Sequence, residues 1–182
     1  MSTARVEREA TIDDLYSVEG NAELVDGRLV LLPMTGDAHG TAVLGIATSL
    51  KLYQRTRGGG RAYSDGVGFI ASPRRSFSPD VAWYVGPRSG AKLLMGVPVF
   101  AVEIRSPEDY GPSAERRLAV KRADYFVAGT VVVWDVDVLR EGLVRVYRAD
   151  DPEHPTIFRR GEMADAEPAV PGWRMPVDEL FR

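Results

Sequence analysis

The eight residues Val97-Pro-Val-Phe-Ala-Val-Glu-Ile104 constrain the fold more than any other stretch of the chain. From Val99 to Ile104 the run is nearly continuous in apolar and β-branched character. It is therefore expected to be a strand buried at the centre of a sheet. Within it lies one carboxylate, Glu103. Burying an ionised carboxylate without a partner costs several kcal/mol, so this strand demands a cation beside it. A metal ion would serve, and so would an arginine in a structural ion pair.

The segments around this strand carry clear punctuation. Thr11 is a plausible N-cap for a short helix ending before Gly20, with Asp13 and Asp14 in its first turn. Ala22 to Val25 and Arg28 to Leu32 flank Asp26-Gly27, the pair that favours a type I′ hairpin. Asp37 is expected to cap a helix running to about Arg55, because Val43, Leu44, Ala47 and Leu50 recur at helical spacing. Gly58-Gly59-Gly60 ends it. Arg61 to Ile70 and Pro79 to Val85 read as further strands. Ser113 is the expected N-cap of a second long helix reaching Ala128, followed by strands at Thr130 to Val136 and Leu143 to Tyr147. Beyond Asp150 the chain turns acidic and Pro-containing, with room for short strands but no expected chemistry. The order predicts an α/β fold, a central mixed β-sheet flanked by α-helices.

Length and composition narrow the functions. With 182 residues and 45% hydrophobic content, one domain over 1–182 is expected. The chain has no cysteine, which excludes disulfides, thiolate metal sites and cysteine nucleophiles, and its two histidines, His39 and His154, make a histidine-rich zinc site a poor fit. The start Met-Ser-Thr-Ala-Arg continues into charges, and no apolar run reaches the roughly 20 residues that span a bilayer, so a soluble cytoplasmic protein without membrane partners is expected.

Net charge is −3, but its distribution is uneven. Glu7, Glu9, Asp13, Asp14, Glu19, Glu23 and Asp26 crowd residues 7–26 against Arg8. Lys51, Arg55, Arg57, Arg61, Arg74 and Arg75 crowd residues 51–75 against Asp65. The basic stretch is either a solvated surface or a dock for a phosphate backbone, in which case binding should weaken steeply with salt.

Three more residues join Glu103 as candidates. Asp80 follows Ser78-Pro79 at a strand edge, where a carboxylate projects into a cleft or simply serves a turn. On the second helix, Ala114, Leu118, Lys121, Tyr125 and Ala128 form one stripe, so Lys121 faces the sheet. The chain uses only three lysines against twenty arginines, which makes this one notable. Glu23, beside the hairpin turn, is either an exposed strand residue or an added acid. Two or three carboxylates suit Mg²⁺, and a nearby lysine suits a metal-bound water.

The ordered series Glu23-Leu-Val-Asp-Gly, Pro79-Asp80, Val102-Glu103-Ile-Arg-Ser-Pro107, Lys121 and Tyr125, then Gly129 and Val131 to Asp135, resembles the large bacterial Uma family of restriction-endonuclease-like proteins within the PD-(D/E)XK superfamily. The resemblance covers roughly residues 11–148, with 149–182 as an extension. It implies that Asp80, Glu103 and the main-chain carbonyl of Ile104 hold the metal, with Mg²⁺ as cofactor and Mn²⁺ as substitute. The superfamily lysine is expected two residues after the glutamate, where this chain has Arg105. An arginine stays protonated and can bind phosphate but cannot act as a base. The resemblance instead implies a migrated lysine, Lys121, with Glu23 as an early acidic residue and His39 at a position where the family often has histidine.

These readings converge on a metal-dependent endonuclease hydrolysing DNA phosphodiester bonds, with Asp80, Glu103, Lys121 and Glu23 catalytic. Arg105, Arg74, Arg75 and Arg61 are the expected substrate contacts. DNA is the expected partner, and a homodimer would suit cleavage of both strands. The rival readings are a catalytically inactive nuclease-fold module for nucleic-acid binding or interaction, and a phosphoesterase acting on small molecules.

Overall fold

The computed structural model describes residues 8–182; residues 1–7, with Glu7 and the charged start of the chain, lie outside the described region. A short helix α1 (Ile12–Tyr16) opens on Thr11, whose side chain and that of Asp14 satisfy each other's backbone N–H in a reciprocal cap. The hairpin β1 (Ala22–Val25) and β2 (Arg28–Leu31) turns at Asp26 and Gly27, both with positive φ, as the type I′ turn requires.

Helix α2 (Asp37–Arg57) is capped one residue earlier than expected: Gly36 is the N-cap, and Asp37 already lies in the first turn. The stretch expected as one strand from Arg61 to Ile70 is two. β3 (Arg61–Ser64) and β4 (Phe69–Ser72) belong to different sheets, because Asp65-Gly66 breaks the run and turns the chain away. β5 (Arg75–Phe77), β6 (Val81–Tyr84), the two-residue β7 (Leu94–Met95) and β8 (Phe100–Ile104) follow. Helix α3 (Pro112–Ala128) is capped by Gly111, with Pro112 at its start, so Ser113 is an interior residue rather than the cap. Proline suits this position because its missing N–H would have no helical partner there.

β9 (Val132–Asp137), β10 (Leu143–Arg148) and β11 (Asp151–Arg159) complete the central sheet, whose order is β11-β10-β9-β8-β6-β3. Only β8 and β9 within it run parallel. The sheet is therefore mixed. β11 is nine residues long and carries Pro152 and Pro155, which an edge strand tolerates because one row of its backbone groups faces outward. Smaller sheets pair β1 with β2, β4 with β5 and β7, and β12 (Met163–Asp165) with β13 (Arg174–Pro176).

The central strands divide two cores. Phe100, Val102 and Ile104 of β8 pack with Ala42, Ile46 and Leu50 of α2, on the same side as Trp173, Met175 and Leu180. Ala101 faces the other way, packing with Phe77, Tyr125 and Val133 beneath α3. The C-terminal segment thus seals the α2 side. It approaches so closely that a side chain on Gly45 would lie 2.7 Å from the carbonyl oxygen of Glu179. Among the described residues, no helix is long and apolar enough to cross a membrane.

Candidate active site

Alternation along β8 turns Glu103 away from the α2 core and onto the side of Ala101. There it meets α3. Lys121 Nζ donates to Glu103 Oε2 at 2.8 Å, and the Tyr125 hydroxyl donates to Oε1 at 2.7 Å. The stripe read from the sequence is real: Ala114 and Tyr125 are buried on it, and Lys121 lies between them. Tyr125 is fixed by stacking on Phe77, ring centroids 4.2 Å apart.

Glu23 joins from the hairpin. It is buried, its Oε1 lies 3.2 Å from Lys121 Nζ, and the same oxygen accepts the N–H of Ser78 at 2.8 Å. The adjacent Leu24 N–H donates to Ser76 Oγ at 2.8 Å, so β1 is tied to β5 and to Ser78 just beyond it. Asp80 stands at the start of β6, where its Oδ2 accepts the N–H of Ile104 at 2.6 Å. Ile104 therefore meets Asp80 through its N–H.

Glu23 and Glu103 pair with one ammonium, and Asp80 adds its charge from the neighbouring strand end. Burial pushes the Glu103 carboxyl up to about 7; Lys121 opposes the shift, while Asp80 and Glu23 add to it. Burial works against the charge on Lys121, but Glu103 and Glu23 outweigh it and hold the ammonium well above its usual range. Burial likewise raises the Tyr125 hydroxyl, with the carboxylates acting in the same direction, which keeps it a donor. A small cavity of about 10 Å³ lies under α3, between Glu103, Lys121 and Asp135.

Sequence reasoning missed Asp65. One oxygen of Asp65, one of Asp80 and a ring nitrogen of His39 lie within 4.8 Å of one another. His39 sits in the first turn of α2, where the helix start delivers it to the end of the central sheet. The only signal in the sequence was an isolated acid in a basic stretch, inside the run from Arg61 to Ile70 that reads as one strand.

The arginines expected to contact substrate are all engaged internally. Arg105 is buried and forks onto Asp135, with both bonds at 2.7 Å, while Glu115 takes the other side of the guanidinium. Arg75 bridges Asp26 and Asp124, and Arg74 reaches Glu9 at 2.7 Å. Arg61 bonds the carbonyl of Gly86 and lies over the Tyr84 ring. A groove of about 390 Å³ instead opens beside Gly66, lined by Tyr63, Arg88 and Lys92.

A family model described as "Uma2: Putative restriction endonuclease" matches residues 11–178, some thirty residues beyond the reach of the ordered motifs. Among solved structures, a "putative nuclease belonging to DUF820" from Anabaena variabilis ATCC 29413 superposes with a TM-score of 0.75 at 18% identity, covering 94% of this chain and 97% of that one. At that identity the likeness establishes the fold. No curated protein matches the sequence.

Proposed function

The chain belongs to the Uma2 family, and from that membership and the cluster around Lys121 we propose that it is a metal-dependent endonuclease hydrolysing DNA phosphodiester bonds. The observation that carries this reading is the convergence of Glu23 and Glu103 on one lysine, with Asp80 adding its charge from the neighbouring strand end. Three carboxylates against one ammonium leave a surplus of buried negative charge, and a hard divalent cation is the partner that relieves it. Asp80 and Glu103 would hold that cation, with the Ile104 carbonyl as a further ligand and Glu23 as an auxiliary one. Mg²⁺ is the expected ion and Mn²⁺ its substitute. When bound, such an ion lowers the pKa of a water and neutralises charge on the phosphoryl group.

The chain's own residues do the rest. Lys121, kept protonated by its carboxylates, orients the attacking water and offsets negative charge on the phosphoryl oxygens. Tyr125 and Lys121 together fix the Glu103 carboxylate in one rotamer. Glu23, anchored by the Ser78 N–H, holds the ammonium in place. Arg105 acts in the scaffold, because both faces of its fork are already occupied by Asp135 and Glu115. The groove beside Gly66 offers a path for the phosphate backbone, with Arg88 and Lys92 as its cations; neither forms an ion pair among the described residues.

Supercoiled plasmid and single-stranded DNA incubated with the protein and Mg²⁺ or Mn²⁺ should be cut, and chelator should stop it. Absence of cleavage across DNA and RNA substrates with either metal would overturn the enzymatic reading in favour of a nuclease-fold binding module.

A further inference from the structure

His39 carries a problem that the carboxylate–lysine cluster does not solve. Its imidazole is buried, Nδ1 has no hydrogen-bond partner among the described residues, and Nε2 has only an ion-pair contact with Asp80. Buried polar atoms of this kind are ordinarily satisfied, because leaving them without a partner forfeits their hydration with no return. Nε2 lies 3.2 Å from Asp80 Oδ1, the oxygen that Asp80 does not use for the Ile104 N–H. Asp65, from the turn after β3, brings a third donor to the same place, all three within 4.8 Å of one another. Donors sharing one ion at about 2.0–2.2 Å lie roughly 3–3.5 Å apart, so the His39–Asp80 pair already has the spacing and Asp65 needs only a small rotation.

We infer that His39, Asp65 and Asp80 form a cation subsite whose imidazole selects a first-row transition ion over Mg²⁺. The inference rests on the metal-dependent reading above and deepens it, since Asp80 is shared between the two. Imidazole is a borderline nitrogen ligand that suits such ions, whereas Mg²⁺ prefers an all-oxygen shell and keeps its waters. A histidine in the set therefore changes which ion is favoured. Glu103 and Lys121 are not part of this donor group. Asp65 is exposed, and its turn connects directly to Gly66 at the groove, so an ion held here would sit at the groove's mouth.

The test is calorimetric titration of the full chain with Mn²⁺ and with Mg²⁺, repeated on Asp65→Asn and His39→Gln. Asp65→Asn changes an exposed residue and leaves the fold out of question. Wild-type protein should prefer Mn²⁺ by at least about tenfold, and both variants should lose about tenfold or more for Mn²⁺ while Mg²⁺ affinity changes much less. Pulsed electron paramagnetic resonance of bound Mn²⁺ should show coupling to an imidazole nitrogen in wild type and none in His39→Gln. If both variants bind Mn²⁺ as wild type does, and the nitrogen coupling is absent, the subsite is wrong. Should Asp80→Asn and Glu103→Gln still abolish binding in that case, the endonuclease reading survives it. If wild type binds neither ion, both fall together.

Discussion

Glu103 is the residue on which the site turns, and its protonation leaves a mark on stability. Its folded carboxyl is pushed up to about 7, above its ordinary value of 4.5, so between those values the folded chain holds a proton that the unfolded chain has released. Stability of the metal-free protein should therefore fall as pH rises from about 4.5 to 7. His39 contributes in the same direction at slightly higher pH: burial opposes its charge, but the Asp80 carboxylate outweighs burial and holds its pKa above 6.5. Glu103→Gln removes the carboxylate and should flatten the slope below neutrality, leaving the His39 part. Denaturant unfolding in chelator across that range checks both statements. A Glu103→Gln protein with the wild-type slope would mean that another group carries it.

At the scale of elements, β8 and α3 were legible because each has a strong pattern. An apolar run with one carboxylate and a helix stripe with one lysine both point to the same layer, and the two meet at 2.8 Å, where the sequence had offered a metal ion or an arginine as the cation. Asp26-Gly27 was equally plain, since two consecutive positive φ angles favour that dipeptide. The failures share a cause: local sequence is silent about what lies across space. Arg105 stands where a superfamily lysine is expected, and nothing nearby in the sequence reveals that Asp135, thirty residues on, has claimed its guanidinium. Ser113 looks like a better cap than Gly111, but Pro112 already fixes the helix start. Asp65 drew no attention because its partners, His39 and Asp80, arrive from a helix and another strand. The Arg105 fork joins β8, β9 and α3, so Arg105→Ala should leave Asp135 buried with only the longer 3.7 Å contact to Arg122. A loss of about 3–5 kcal/mol is expected on denaturant unfolding. A loss under about 1 kcal/mol, with weaker DNA binding, would return Arg105 to a substrate role.

On the scale of the whole molecule, the two faces of the central sheet do different work. The α2 face is closed by an aromatic cluster, with Trp134 and Trp173 ring centroids 5.1 Å apart, and by a C-terminal segment whose acidic, Pro-containing sequence disguises how much of it is buried. That face supplies rigidity. The α3 face gathers Glu23, Glu103 and Lys121 from a hairpin, a strand and a helix, an arrangement that only the rigid sheet behind it can hold in register. Catalysis is therefore expected to be separable from folding at one position. Lys121→Met keeps an unbranched stem packed on the α3 stripe and removes only the charge. The decisive measurement is cleavage of supercoiled DNA by Lys121→Met at saturating Mn²⁺, with metal affinity taken on the same sample. The variant should bind Mn²⁺ nearly as wild type does and cut at least about 10²-fold more slowly. Cleavage at the wild-type rate would mean that Lys121 is a structural counter-ion and that the chemistry lies elsewhere.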